Sequence, residues 1–153
     1  MLLLRHSESL FNVDNNLMIK NCGLSKKGRL QASKIKIKID TVVVSSMKRT
    51  LETFDMASIE CKNVYKTMLC REHKTDVCDF TETEEVVIET EDELLERIES
   101  FKRWINDNDI PTSNCLVIGH ADFFFYLTST VHNGERFGKW LNNSEIETCY
   151  IKM

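Results

Sequence analysis

At 153 residues and 17.8 kDa the chain has the length of one domain, 1–153, and its 42% apolar and 29% charged residues are ordinary for a protein with a buried core, which excludes disorder, collagen and coiled coil. The longest apolar stretch, 116–131, is broken by Gly119, His120 and Asp122 before it reaches the roughly 20 residues of a membrane span. The net charge of −4 divides into +7 over residues 1–50 and −11 over 51–153, a split that can draw anions to one side, while a pI near 5.6 without an aromatic-laced basic stripe argues against nucleic acid as a partner.

In chain order, Met1-Leu2-Leu3-Leu4 meets Arg5 and His6 too early to hold a signal peptide's apolar region, so the expected location is the cytoplasm. The same run predicts a buried strand whose carboxyl end delivers Arg5 and His6 to a loop. Leu24, Ala32, Ile35 and Ile39 follow a helical spacing and predict a helix over 25–38, although Ile35-Lys36-Ile37-Lys38-Ile39 also alternates as a strand does. Lys34, Lys36 and Lys38 then form the wet face of that element. Thr41–Ser45, β-branched and closed by two serines, reads as a central parallel strand, and Ser46 as the cap of a helix over about 47–59 with Leu51 and Phe54 inward.

A third strand is expected over 64–69. The acidic stretch 82–93 reads as an exposed loop whose Thr90 caps a helix running to about Asn108, with Leu94, Ile98, Phe101 and Ile105 as its apolar stripe. Residues 115–118 form another buried strand, which Gly119-His120-Ala121 turns into a helix over about 122–130, and 145–151 alternates as an edge strand. His132, beside Asn133-Gly134, reads as a turn residue, Phe123 to Tyr126 as core and pocket wall, and Trp104 and Trp140 as packing residues. The sum is an α/β three-layer sandwich, a mostly parallel sheet with helices on both faces. The six cysteines contain no C-x-x-C pair and read as reduced thiols. Cys70 and Cys78 flank His73 and Asp76 at a spacing that fits no common zinc pattern, so no metal or cofactor is expected.

In sheets of this kind ligands sit beyond the carboxyl ends of strands, where both Arg5-His6 and Gly119-His120 fall. Arg49, at the start of the helix after the 41–45 strand, can join them. Two imidazoles and two guanidinium forks around one small volume suit a phosphoryl group, and the helix amino end at Ala121-Asp122 adds free backbone N–H groups. Such a cage neutralises the charge of a phosphoryl group in flight without a metal.

At these residues the sequence resembles the histidine phosphatase superfamily, the phosphoglycerate-mutase-like proteins. Leu3-Leu4-Arg5-His6-Ser7-Glu8 with the downstream Asn12 is similar to the family's strand-Arg-His-Gly-Glu signature. Leu24-Ser25-Lys26-Lys27-Gly28 with Gln31-Ala32, Ser45 to Arg49 with Thr53, Arg71-Glu72-His73, and Val117-Ile118-Gly119-His120 match its further segments in order along nearly the entire chain. The resemblance implies that His6 is the nucleophile, that Arg5, Arg49, His120, Asn12 and the Ala121 N–H hold the phosphoryl oxygens, and that Glu72 is the general acid and base, with Glu8, His73 and Asp76 as competitors for that role. Burial would raise the Glu72 pKa for this task and Arg71 would oppose it. Two departures matter. Ser7 replaces the family's glycine after the first histidine, and the mutase branch's aromatic-Thr-Gly step is missing where this chain reads Asn16-Leu17-Met18-Ile19. With only about seventy residues between Arg49 and His120 the site is expected to be open, which favours hydrolysis over mutase chemistry. The expected activity is that of a phosphomonoester hydrolase acting through a phosphohistidine on a small phosphorylated metabolite or a phosphoprotein, with no membrane partner. A phosphate-binding or interaction module that has lost turnover is the alternative.

Overall fold

A computed structural model describes residues 1–153. In chain order the elements are β1 (Leu2–Arg5), α1 (Leu10–Val13), α2 (Lys26–Ser33), β2 (Lys36–Lys38), β3 (Thr41–Ser45), α3 (Lys48–Met56), β4 (Ser58–Glu60) and β5 (Asn63–Thr67), then α4 (Glu91–Asp107), β6 (Cys115–Gly119), α5 (Ala121–Leu127), β7 (Thr130–His132), β8 (Glu135–Phe137) and β9 (Ile146–Thr148). The main sheet runs β5-β3-β6-β1-β9, parallel except for β9, which pairs antiparallel with β1.

Side chains alternate across the pleat and so divide the core in two. Leu3, Val43 and Val117 face Leu94, Ile98, Phe101 and Ile105 of α4 and Phe123, Phe124 and Leu127 of α5. Leu4, Val42, Val44, Leu116 and Ile118 face Ile35 and Ile39 with Leu51 and Phe54 of α3 on the opposite side. The result is the expected three-layer α/β sandwich, and no helix is long and apolar enough to cross a membrane.

Local departures follow from local chemistry. The helix expected over 25–38 ends at Ser33, because the alternation of Ile35, Ile37 and Ile39 with lysines prevails and β2 pairs with β4 in a small parallel sheet, Ile37 opposite Ile59. Lys34, Lys36 and Lys38 are exposed, as expected of a wet face. Ser46 does not cap α3. Its N–H bonds the Thr67 carbonyl, Met47 occupies the cap position without a side-chain bond, and the helix stops at Met56 because 58–60 is drawn into β4. His132 closes β7 and is not in the turn, which Asn133 and Gly134 make with φ of 52° and 82°, the left-handed values a tight hairpin requires. The acidic stretch is only partly exposed, since Glu89 is buried against Arg97 at 2.7 Å. Thr90 caps α4 reciprocally with Glu93, as its spacing predicts. All six cysteines are free thiols.

Candidate active site

The three central strands β3, β6 and β1 are adjacent and parallel, so their carboxyl ends open on one side of the molecule. Arg5 lies in register with Gly119, and the His6 N–H continues the ladder to the Gly119 carbonyl at 3.0 Å. This pairing brings His6 and His120 together with ring centroids 5.3 Å apart. Arg49 enters from the first turn of α3.

The carbonyl beside His6 fixes its tautomer. His6 Nδ1 lies 2.7 Å from the Ser7 carbonyl, which can only accept, so Nδ1 carries the proton and Nε2 the lone pair. Arg49 Nε–H donates to that lone pair at 3.3 Å, the long end of a hydrogen bond. Burial, then Arg49, then Arg5 hold the His6 pKa well below 6.5. His120 Nε2 lies 2.9 Å from the Ser45 hydroxyl. Its Nδ1 is buried without a partner, an atom that asks for one. Burial, then Arg49 and His6, lower the His120 pKa in the same way.

Glu72 follows β5 and reaches the amino end of α5, where its Oε1 accepts the Phe123 N–H at 3.0 Å and the N–H of His73 at 3.1 Å. Its pKa is pushed up to about 7 by burial and by Asp122 and Asp79, against the opposing pull of Arg49 and the Phe123 N–H. Arg71 does not provide the opposition expected of it, because its guanidinium turns to the Glu84 carboxylate and the Asp79 carbonyl, both at 2.8 Å. Arg5 donates to the Leu141 carbonyl at 2.9 Å and lies over the Trp140 ring, while its Nε is buried and unpaired.

A cleft of about 150 Å³ is lined by Arg5, His6, Asn12, Arg49, Glu72 and Ala121, with Asp76, Asp79, Asp122 and Trp140 among its other walls. His120 is fully buried and packs against His6 without reaching the cleft wall. Asn12 spends its carbonyl on Ser9 and Asn143, which leaves its amide nitrogen as the free donor. Of the competing carboxylates, Glu8 turns away to Ser25 and Lys27, while Asp76 lines the cleft. His73 is bonded to the Glu89 carbonyl. Two packing assignments change. Trp140 is 56% exposed at the cleft instead of packed inside, and Phe123 and Phe124 are core residues that form no part of the cleft wall.

The site also contains Ser45 and Thr53, which the sequence places in the segment around Arg49 without assigning them a role, and Asn143 and Asp79, which it does not mark. Ser45 holds His120, Thr53 accepts the Ser7 N–H at 3.0 Å, and Asn143 donates to the His6 carbonyl at 3.1 Å. Asp79 receives Arg49 at 2.9 Å. Ser7 needs no special backbone path. Its φ is negative, and its hydroxyl is buried against that of Ser144 at 2.6 Å.

A mostly parallel sheet in the order β5-β3-β6-β1-β9 with helices on both faces is the phosphoglycerate-mutase-like fold, and comparison with solved structures bears this fold out. Phosphoglycerate mutase from Thermus thermophilus superposes with a TM-score of 0.66 at 16% identity, over 95% of this chain and 89% of that one. The alpha-ribazole phosphatase from Shigella flexneri superposes with a TM-score of 0.62 at 15% identity, over 96% and 98%. The ecdysone phosphate phosphatase from Bombyx mori, in complex with tungstate, gives 0.60 at 14% identity, over 95% and 86%. No protein-family model and no curated protein matches the chain.

Proposed function

We propose that this protein is a phosphomonoester hydrolase that works through a phosphohistidine on His6, without a metal. The observation that carries this reading is the His6 ring: buried, neutral, its Nδ1 proton tied to the Ser7 carbonyl and its Nε2 lone pair presented beside Arg49 in a cleft that also contains Glu72. Nε2 attacks phosphorus and displaces Arg49 Nε. The ester P–O bond breaks, and the departing oxygen takes the proton that Glu72 holds near neutral pH. Water then gives a proton to Glu72 and attacks phosphorus, the N–P bond breaks, and orthophosphate leaves. Arg5, the remaining N–H groups of Arg49, Asn12 and the Ala121 N–H hold the phosphoryl oxygens, while His120, held by Ser45, backs the nucleophile from behind the cleft wall.

Structural neighbours with phosphatase names, one of them crystallised with the tetrahedral oxyanion tungstate, support the phosphatase reading, and the missing aromatic-Thr-Gly step at Asn16-Leu17-Met18-Ile19 sets the chain apart from the mutase branch. The substrate in this reading is a phosphorylated small molecule or a phosphoprotein side chain, and the free thiols suit the cytoplasm. A second reading, a phosphate-binding module without turnover, draws support from the engagement of Arg49 by protein partners at all three of its nitrogens. Release of p-nitrophenol from p-nitrophenyl phosphate decides between them. The hydrolase releases it and His6→Ala does not, whereas no release by the intact protein across pH 5–8 would leave the binding module.

A further inference from the structure

The Arg49–Asp79 pair is the one ion pair in the molecule with both side chains almost wholly out of solvent, at 3% and 5% exposed. Buried pairs gain little net stability over apolar substitutes, so its position beside the nucleophile calls for another explanation. Asp79 closes the short turn 77–79, and its two oxygens have separate tasks. Oδ2 accepts the N–H groups of Asp76 at 2.9 Å and Thr75 at 3.3 Å, which anchors the carboxylate to the backbone. Oδ1 accepts Arg49 Nη2 at 2.9 Å, and the neighbouring Cys78 carbonyl accepts Nη1 at 3.1 Å. The turn thus clamps the guanidinium on two nitrogens and leaves the third, Nε, directed at His6 Nε2.

The charge balance changes with the geometry. Without Asp79 an incoming phosphate would meet two cations, Arg5 and Arg49, in a confined cleft where each acts strongly on an anion. With Asp79 the second cation is already offset. We infer that Asp79 is a positioning residue: its carboxylate aims Arg49 at His6 and tempers the charge of that guanidinium, so that the site grips a phosphoryl group for transfer without retaining orthophosphate. The inference rests on the phosphohydrolase reading. A supporting feature is that the same carboxylate, with Asp122, faces Glu72 and keeps its proton in place, opposed by Arg49 and the Phe123 N–H, while Arg5 also lies within range.

Full-length Asp79→Asn and Asp79→Glu test this against the parent protein, with calorimetric binding of orthophosphate and pH profiles of p-nitrophenyl phosphate hydrolysis. Asparagine keeps the shape and removes the charge. Its amide cannot accept both the backbone N–H groups and Arg49, so orthophosphate should bind about tenfold tighter, kcat should fall about tenfold or more, and the alkaline limb of kcat/KM should move to lower pH. Glutamate keeps the charge and displaces Arg49 by one methylene, so kcat should fall while the alkaline limb and phosphate affinity stay near those of the parent. A purely structural pair would move neither the limb nor the affinity, and parental values of both in a folded Asp79→Asn would overturn the inference. If that variant does not fold, Asp79→Glu decides: parental kcat overturns the inference, and reduced kcat with an unmoved limb supports it. Should the parent protein hydrolyse nothing, the hydrolase reading fails on its own, and the relative affinities for orthophosphate still decide the place of Asp79.

Discussion

His6 is fixed by three contacts whose chemistry dictates its state: a carbonyl that can only accept, an arginine that can only donate, and burial that excludes the imidazolium. Replacing it with alanine removes the proposed nucleophile, and p-nitrophenyl phosphate turnover should fall at least about a thousandfold while the fold persists by circular dichroism. Glu72→Gln removes the proposed proton donor and should cost about 10²–10⁴-fold in kcat. Because the Glu72 pKa is pushed up to about 7, the parental rate should decline as pH rises through 7, and that limb should vanish in the glutamine variant. The histidines, Arg5, Arg49 and Glu72 were legible because each sits in a motif or at a strand end that sequence can place. Ser45 and Thr53 lie in the same motif as Arg49 but their tasks were not legible, and Asp79 lies in no motif. Their roles arise from pairing across long stretches of chain, Ser45 with His120 and Asp79 with Arg49, and no local pattern distinguishes a buried partner from a surface residue.

Among the elements, α4 shows how far local rules reach. Thr90 and Glu93 close its first turn and Leu94, Ile98, Phe101 and Ile105 form its buried face, all readable from spacing alone. Thr90→Ala should destabilise the protein by about 1 kcal/mol in urea unfolding. The segment after α2 shows the limit: Ile35, Ile37 and Ile39 satisfy both periods, and the partner strand β4, which pairs Ile37 with Ile59, decides for extended structure. The β7–β8 hairpin went unread although Asn133-Gly134 is a strong turn signal, because its flanking strands are short and mostly exposed. Gly28 belongs to this scale too. A Cβ there would come within 1.9 Å of the Glu8 carbonyl oxygen, so Gly28→Ala should push α2 away from the loop after His6 and lower both Tm and turnover.

Taken as a whole, the molecule uses its divided charge for internal pairing. Arg29 with Glu52, Lys38 with Glu60 and Arg49 with Asp79 each join the basic first fifty residues to the acidic remainder. Burial of His6, His120 and Glu72 sets the pH dependence of stability. His6 and His120 remain neutral when folded and gain protons when unfolded, so stability falls as pH drops below about 6.5. Glu72 acts in the opposite sense, holding a proton when folded that the unfolded chain releases above 4.5, so its contribution declines as pH rises from 4.5 to about 7. Two histidines outweigh one carboxyl in the window they share, and Tm should peak near pH 6.5, with the rise between pH 4.5 and 6.5 flattened in His120→Asn, where one histidine and one carboxyl offset each other. The central claim is that a phosphoryl group passes to His6, and its most direct test is an acid-free denaturing quench during turnover, followed by peptide mass spectrometry. The account predicts an acid-labile, alkali-stable phosphoryl group on His6, accumulating in Glu72→Gln with p-nitrophenyl phosphate as donor. Hydrolysis that proceeds with no labelled histidine, or with the label on another residue, would contradict it.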